Sequence, residues 1–313
     1  MARAFVFPGQ GSQAVGMGLE LAEAFPTARY IFQEVDDALD QPLSQLIFEG
    51  PEEELILTEN AQPALMAVSV ATARVLEEQG AFTLAEQGAF VAGHSLGEYS
   101  ALAAAGALSV EAAALLLKAR GRAMQQAVPV GTGAMAALLG LELEAVREVA
   151  GEAAQGEVCE PANDNAPGQI VVSGHKAAVE RAVALARDRG ARRAVMLPVS
   201  APFHCALMQP AAEEMAARLA DVEMAAPAPP LVANVTASAV TEPQDIRQRL
   251  VEQVTAMVRW RESVEYMRDH GVGDFVELGA GKVLSGLVRR VDRGLSASAI
   301  GEPGELETFL NAL

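Results

Sequence analysis

The pentapeptide Gly93-His94-Ser95-Leu96-Gly97 is where this chain is equipped to do chemistry. A serine with glycines two residues before and two after it is the pattern of a nucleophile on a sharp turn, its hydroxyl pushed clear of the backbone. For a chain of 313 residues with 27 glycines, chance alone would supply about 0.1 such pentapeptides. A serine hydroxyl needs a base, and the chain has four histidines: His94, His175, His204 and His270. At an elbow the ring of His94 would turn away from Ser95, suiting it to packing or support. His175 and His270 fall at helix boundaries, as capping or solvated residues do. His204 follows Pro202-Phe203 on a loop leaving a strand, where catalytic groups concentrate. Ser95 and His204 are the candidate dyad.

The elements around the dyad must put both groups at strand exits. Ala89–Ala92 reads as a short buried strand, and the Ala-rich stretch from Glu98 to Ala107 as a helix. Strand, turn and helix is the context in which the pentapeptide works. The helix N-terminus adds unpaired N–H groups and a positive dipole end, which would favour an oxyanion. Upstream, Ala4–Phe7 is a second apolar strand running into the glycine-rich Pro8-Gly9-Gln10-Gly11. Helical periodicity covers Leu19–Leu39, Ala61–Gln79, with Pro63 in its first turn, and Val110–Gln125. From Val130 the order changes to strand, helix, strand, strand, helix, strand, ending near Pro198. This βαββαβ order is the ferredoxin-like plan. The expected organisation is an α/β body of residues 1–128 and 199–313 with a small inserted subdomain, 129–198. Ser200-Ala201-Pro202-Phe203-His204 returns the chain to the body.

Composition excludes several classes. The net charge is −18 and the pI about 4.6, which argues against nucleic acid as a partner. Cys159 and Cys205 have no metal or redox spacing and read as core fillers of a reducing compartment. No stretch reads as a signal peptide or a membrane span. Cytoplasmic location and a monomer are expected.

Five motifs occur in order: Phe7-Pro8-Gly9-Gln10-Gly11-Ser12-Gln13, Gly93-His94-Ser95-Leu96-Gly97-Glu98-Tyr99-Ser100, Arg120-Gly121-x-x-Met124-Gln125, Asn165-x-Pro167-Gly168-Gln169 and Ala201-Pro202-Phe203-His204. Together they resemble the malonyl-CoA:acyl carrier protein transacylases of fatty acid synthesis, over nearly the whole chain. The resemblance implies an α/β-hydrolase-like main body with an inserted ferredoxin-like subdomain. It implies that malonyl passes from malonyl-CoA to Ser95 and then to the phosphopantetheine thiol of an acyl carrier protein. No metal or cofactor is implied, since CoA and the phosphopantetheine arm are substrates.

Roles follow from the resemblance residue by residue. His204 would take and return the serine proton. The backbone N–H groups of Gln10 and Leu96 would form the oxyanion hole. Arg120 would pair with the malonyl carboxylate, as a planar guanidinium can. Asn165 would bind substrate, and the backbone carbonyl of Gln253 would hold the histidine ring in place of a triad acid. Taken singly, Arg120 reads better as a solvated helix residue forming surface pairs, Gln10 could be a polar loop residue and Asn165 a turn former. The stretch Ala162–Pro167 reads as a loop facing the cleft. There Asp164 and Ala166 depart from an apolar or aromatic residue and a serine, so contacts to the pantetheine arm are open.

Two other functions fit the elbow. A serine thioesterase or other hydrolase usually orders its triad Ser, acid, His with the histidine near the C-terminus, whereas a third of this chain follows His204. A non-catalytic carrier-protein-binding subunit would not need Ser95, His204 and Arg120 together. Two basic clusters, Arg187/Arg189/Arg192/Arg193 and Lys282/Arg289/Arg290/Arg293, are candidates for docking an acidic carrier protein, or else helix-end charges suited to the macrodipole.

Overall fold

In a computed structural model that describes residues 2–199 and 201–313, the chain forms two sheets. Met1 and Ser200 lie outside the described residues, and with Ser200 one position of the expected return segment. Ten strands are present among the described residues: β1 (Ala2–Phe7), β2 (Phe90–Gly93), β3 (Gly133–Leu139), β4 (Cys159–Ala166), β5 (Gln169–His175), β6 (Arg193–Met196), β7 (Leu231–Ala233), β8 (Ser238–Val240), β9 (Val272–Leu278) and β10 (Ser296–Ile300).

The larger sheet has the order β10-β9-β1-β2-β7-β8 and is parallel except for the β7–β8 pair. Its central strands are apolar on both faces, because helices cover both. Phe5, Phe7, Val91, Val276 and Leu278 point into one core with the helices Thr58–Gly80 and Val110–Gln126. Their neighbours Ala4, Val6, Ala92, Val232 and Phe275 point to the other face, against Trp260, Val264 and Leu284. This alternation follows from the two-residue period of a strand. Parallel pairing of β1, β2 and β7 sets their carboxyl ends side by side, so Gln10, Ser95 and Asn234 emerge at one edge.

The smaller sheet is antiparallel in the order β4-β5-β3-β6. The helices Leu143–Ala154 and Lys176–Asp188 cover one face through Val146, Val149, Val179 and Val183, packed on Ala136, Leu138, Ile170 and Val172. The architecture is an α/β-hydrolase-like body with a ferredoxin-like subdomain inserted before His204.

Three local expectations are corrected. Leu19–Leu39 is two helices, Leu19–Ala24 and Pro26–Leu39, broken at Phe25 (φ −124°, ψ 121°), because a residue preceding proline is driven out of the helical region. Pro63 is the sixth residue of its helix, not a first-turn residue, since the helix starts at Thr58. Thr58 is held there by side-chain bonds to Gln10 and Gln62. The stretch 162–166 is no loop but the end of β4. Beyond its pairing with β5 it meets the body: Val258 N–H donates to Ala162 O at 2.9 Å and Asp164 N–H to Val258 O at 2.9 Å. The polar run Asn-Asp-Asn hides the strand, because the Asp164 and Asn165 side chains bond across the chain to Arg261 and His94. Asp164, 1% exposed, pairs with Arg261 at 2.8 Å, so its carboxylate belongs to a seam between the subdomain and the body.

Candidate active site

Two glycines let the elbow close. A Cβ on Gly93 would lie 1.8 Å from the carbonyl carbon of Gly97, and one on Gly97 would lie 2.3 Å from the carbonyl oxygen of Phe7. Strand and helix therefore approach more closely than any side chain allows. Between them Ser95 has φ +54°, a left-handed conformation that costs a non-glycine residue about 1–2 kcal/mol.

Surrounding hydrogen bonds hold it there. Ser95 N–H donates to Asn234 Oδ1 at 2.8 Å, and Gln253 Nε2 donates to Ser95 O at 2.9 Å. Asn234 is itself fixed: its Nδ2 donates to Gly93 O at 2.7 Å and its backbone N–H to Glu98 Oε1 at 2.6 Å. Glu98 Oε2 also accepts from Gln253 Nε2. Burial pushes the Glu98 carboxyl up to about 8, against the pull of these donors and of Arg120. Asn234 and Glu98 are support residues that the sequence reading missed. The available signals were a polar residue at the carboxyl end of a buried strand and an acid directly after the serine motif.

The structure brings Ser95, His204, Arg120 and Gln253 together. Ser95 Oγ lies 2.8 Å from His204 Nε2, and His204 Nδ1 lies 2.8 Å from Gln253 O. A carbonyl can only accept, so Nδ1 carries the proton and Nε2 is free to take one from the serine. His204, 4% exposed, is held down to about 3, first by burial and then by the Arg120 charge. Arg120 Nη2 donates to Ser95 Oγ at 3.2 Å and to Gln253 Oε1 at 2.7 Å, while Nη1 donates to Gln62 Oε1 at 2.8 Å. Its Nε is buried without a partner among the described residues. Nε–H and the long Nη2 contact form one edge of the guanidinium, on the side of the serine.

The N–H groups of Gln10 and Leu96 donate to no described residue. Leu96 is the N-cap of the helix Gly97–Ala104. The Gln10 side chain is exposed and accepts from Thr58 Oγ1 at 2.9 Å. Asn165 reaches the site through His94: its Oδ1 lies 2.8 Å from His94 Nε2. The His94 ring turns from Ser95 towards Trp260, with centroids 5.8 Å apart. The remaining histidines lie elsewhere. His175 Nδ1 accepts from Val158 N–H, and His270 stacks on Tyr266. The arrangement can move a proton between a serine oxygen and a neutral imidazole beside a buried, uncompensated positive charge. Among the described residues no group of side chains could hold a metal ion, and no helix is long and apolar enough to cross a membrane.

Comparison with known proteins gives the same picture across the chain. Residues 4–301 match the family described as acyl transferase domain. The malonyl CoA-acyl carrier protein transacylase of Bacillus subtilis is 47% identical over 311 residues, covering 99% of this chain and 96% of the relative. A crystal structure of acyl-carrier-protein-S-malonyltransferase from Bartonella henselae superposes with a TM-score of 0.97 at 53% identity, covering 100% of this chain and 99% of that one. A malonyl-transacylase solved in complex with its type II polyketide synthase acyl-carrier protein superposes with a TM-score of 0.96 at 45% identity, covering 100% of both chains.

Proposed function

The chain belongs to the acyl transferase family, among the malonyl CoA-acyl carrier protein transacylases, and on that premise we infer that Ser95 carries the malonyl group between its two thiols. The protein transfers malonyl from malonyl-CoA to an acyl carrier protein. The observation that carries the role of Ser95 is the contact chain from its Oγ through His204 to Gln253 O, with Arg120 3.2 Å from the same oxygen.

The inferred mechanism is a double displacement. His204 Nε2 takes the proton as Ser95 Oγ attacks the thioester carbonyl. Negative charge builds on the carbonyl oxygen, and the N–H groups of Gln10 and Leu96 face it. The intermediate collapses, the C–S bond breaks, and His204 returns the proton to the leaving thiolate. The phosphopantetheine thiol of the carrier protein then runs the same steps in reverse on the malonyl ester. Arg120 holds the free carboxylate of malonyl through Nε and Nη2. Asn165, through His94, borders the substrate beside the elbow. The body comprises 1–128 and 199–313, the subdomain 129–198, and the protein acts as a monomer in the cytoplasm.

Intact-mass measurement after malonyl-CoA, and again after carrier protein, tests this. An adduct that forms and then clears supports transfer through Ser95. A hydrolase would release malonate without carrier protein, and a binding subunit would gain no mass.

The pH profile is a second test. The lowered pKa of His204 keeps its base-competent form present well below the ordinary value near 6.5, and activity is lost only as pH falls towards the folded value near 3. The acid limb of kcat/KM for malonyl-CoA should therefore lie at least about one unit below 6.5. The incoming carboxylate offsets the Arg120 charge and strengthens the base as substrate binds. With acetyl-CoA, Arg120→Ala should move the limb upwards. An acid limb at 6.5 or above would contradict the environment assigned to His204.

Docking of the carrier protein gives a third. Arg189 is paired with Glu148 and Glu152, and Lys282 with Glu305. Arg187, Arg289 and Arg290 bond Ala194 O, Ala297 O and Gln169 Oε1. Among the described residues the side chains of Arg192, Arg193 and Arg293 have no such partner. On a protein of net charge −18, free arginines suit an acidic partner. Reversing Arg192 and Arg193 to glutamate should raise KM for the carrier protein roughly 5- to 10-fold at low salt, less at high salt, and spare the malonyl-CoA half-reaction. Unchanged carrier-protein kinetics at low salt would remove these two residues from the docking surface.

A further inference from the structure

We propose that Gln62 is a specificity-determining residue: its amide carbonyl aims the Arg120 guanidinium while leaving the positive charge uncompensated for an acyl carboxylate. The inference rests on the assignment of Arg120 as the carboxylate anchor. A buried guanidinium ordinarily has a carboxylate partner, because an isolated charge is costly to remove from water. Arg120 is 1% exposed, yet among the described residues its three side-chain hydrogen bonds all go to neutral oxygens: Gln62 Oε1 at 2.8 Å, Gln253 Oε1 at 2.7 Å and Ser95 Oγ at 3.2 Å. Glu98, whose carboxyl burial pushes up to about 8, is bonded instead to Asn234 N–H and Gln253 Nε2. The charge is therefore held in place without being cancelled.

Gln62 can do this because its own orientation is determined. Its Nε2 donates to Thr58 Oγ1 at 3.0 Å, and Thr58 Oγ1 donates to Gln10 Oε1 at 2.9 Å. With the NH2 end committed to Thr58, the carbonyl end faces Arg120. The same three residues connect the loop that carries the Gln10 N–H to the guanidinium. An acyl group with a carboxylate satisfies the charge and the unpartnered Nε; a neutral acyl group leaves both as they were. Discrimination of this kind comes from what the wrong ligand fails to pair. A glutamate at position 62 would have the same shape and supply the missing counter-charge internally, in competition with substrate.

The test measures kcat/KM for malonyl-CoA and acetyl-CoA with Gln62→Glu and Gln62→Met, each in the wild-type and Arg120→Ala backgrounds. Gln62→Glu should lower the malonyl-to-acetyl ratio about tenfold or more, mainly through KM, and should not lower it further once Arg120 is gone. Gln62→Met, which removes the aiming carbonyl without adding charge, should lower the ratio by less. Turnover of acetyl-CoA by the same preparation reports whether the variant is folded. If Gln62→Glu is not, an unchanged ratio in Gln62→Met overturns the proposal. A ratio held within about twofold in Gln62→Glu, while Arg120→Ala collapses it, also overturns the role of Gln62 but leaves Arg120 as the anchor. A ratio unaffected by Arg120→Ala removes the anchor itself, and this inference with it.

Discussion

Ser95→Ala is expected to end acyl-enzyme formation, with kcat/KM for malonyl-CoA down roughly 10⁴-fold or more, the scale seen when the nucleophile of a cooperating catalytic set is removed. Among the described residues no other serine combines the left-handed backbone (φ +54°), the closure of Gly93 on Gly97 and an oxygen 2.8 Å from a buried imidazole. The fold should tolerate the change. The bonds that hold this residue run through its backbone N–H and C=O, to Asn234 and Gln253, and alanine keeps both. Ser95→Ala should therefore melt close to the wild-type temperature while forming no malonyl ester. A malonyl–protein ester that survives in the variant would place the nucleophile elsewhere.

Arg120→Ala is expected to change which acyl group is accepted. Leaving a carboxylate unpaired in a desolvated pocket costs ~2–5 kcal/mol, or roughly 30- to several-thousand-fold in kcat/KM. Acetyl-CoA carries no carboxylate and should lose far less. It will lose something, because the variant also removes the 3.2 Å contact to Ser95 Oγ and leaves the carbonyls of Gln62 and Gln253 without their donor. Part of that loss is offset by a more basic His204 once the neighbouring charge is gone. The ratio of the two substrates is thus the informative quantity, and equal losses for both would end the carboxylate assignment. Arg120→Lys should recover only part of the preference, since an ammonium cannot reach both Gln residues and present a planar edge to substrate.

Local chemistry is legible in this chain wherever it depends on near neighbours. The turn at Ser95 follows from Gly93 and Gly97, whose missing side chains let strand and helix touch. The ferredoxin-like subdomain follows from the change of hydrophobic period after Val130, and the buried central strands from unbroken apolar runs such as Ala4–Phe7. Elimination among four histidines named His204 as the partner of Ser95, but the polar side chains that hold the site together were not legible. Ser95 and Asn234 are 139 residues apart, and Gln62 and Arg120 58. Each of these contacts is made by the docking of separate elements and leaves no periodic trace in the chain. For the same reason Asn163-Asp164-Asn165 reads as a loop: its polarity is a local breaker signal, but the folded protein pairs the backbone with Val258 and the side chains with Arg261 and His94. Residue identity and spacing determined the turn at Ser95 and the layered architecture. Only tertiary packing decided how the serine is clamped, how low the imidazole titrates and why the arginine's charge stays free, because burial and distance set those properties and neither exists before the chain folds.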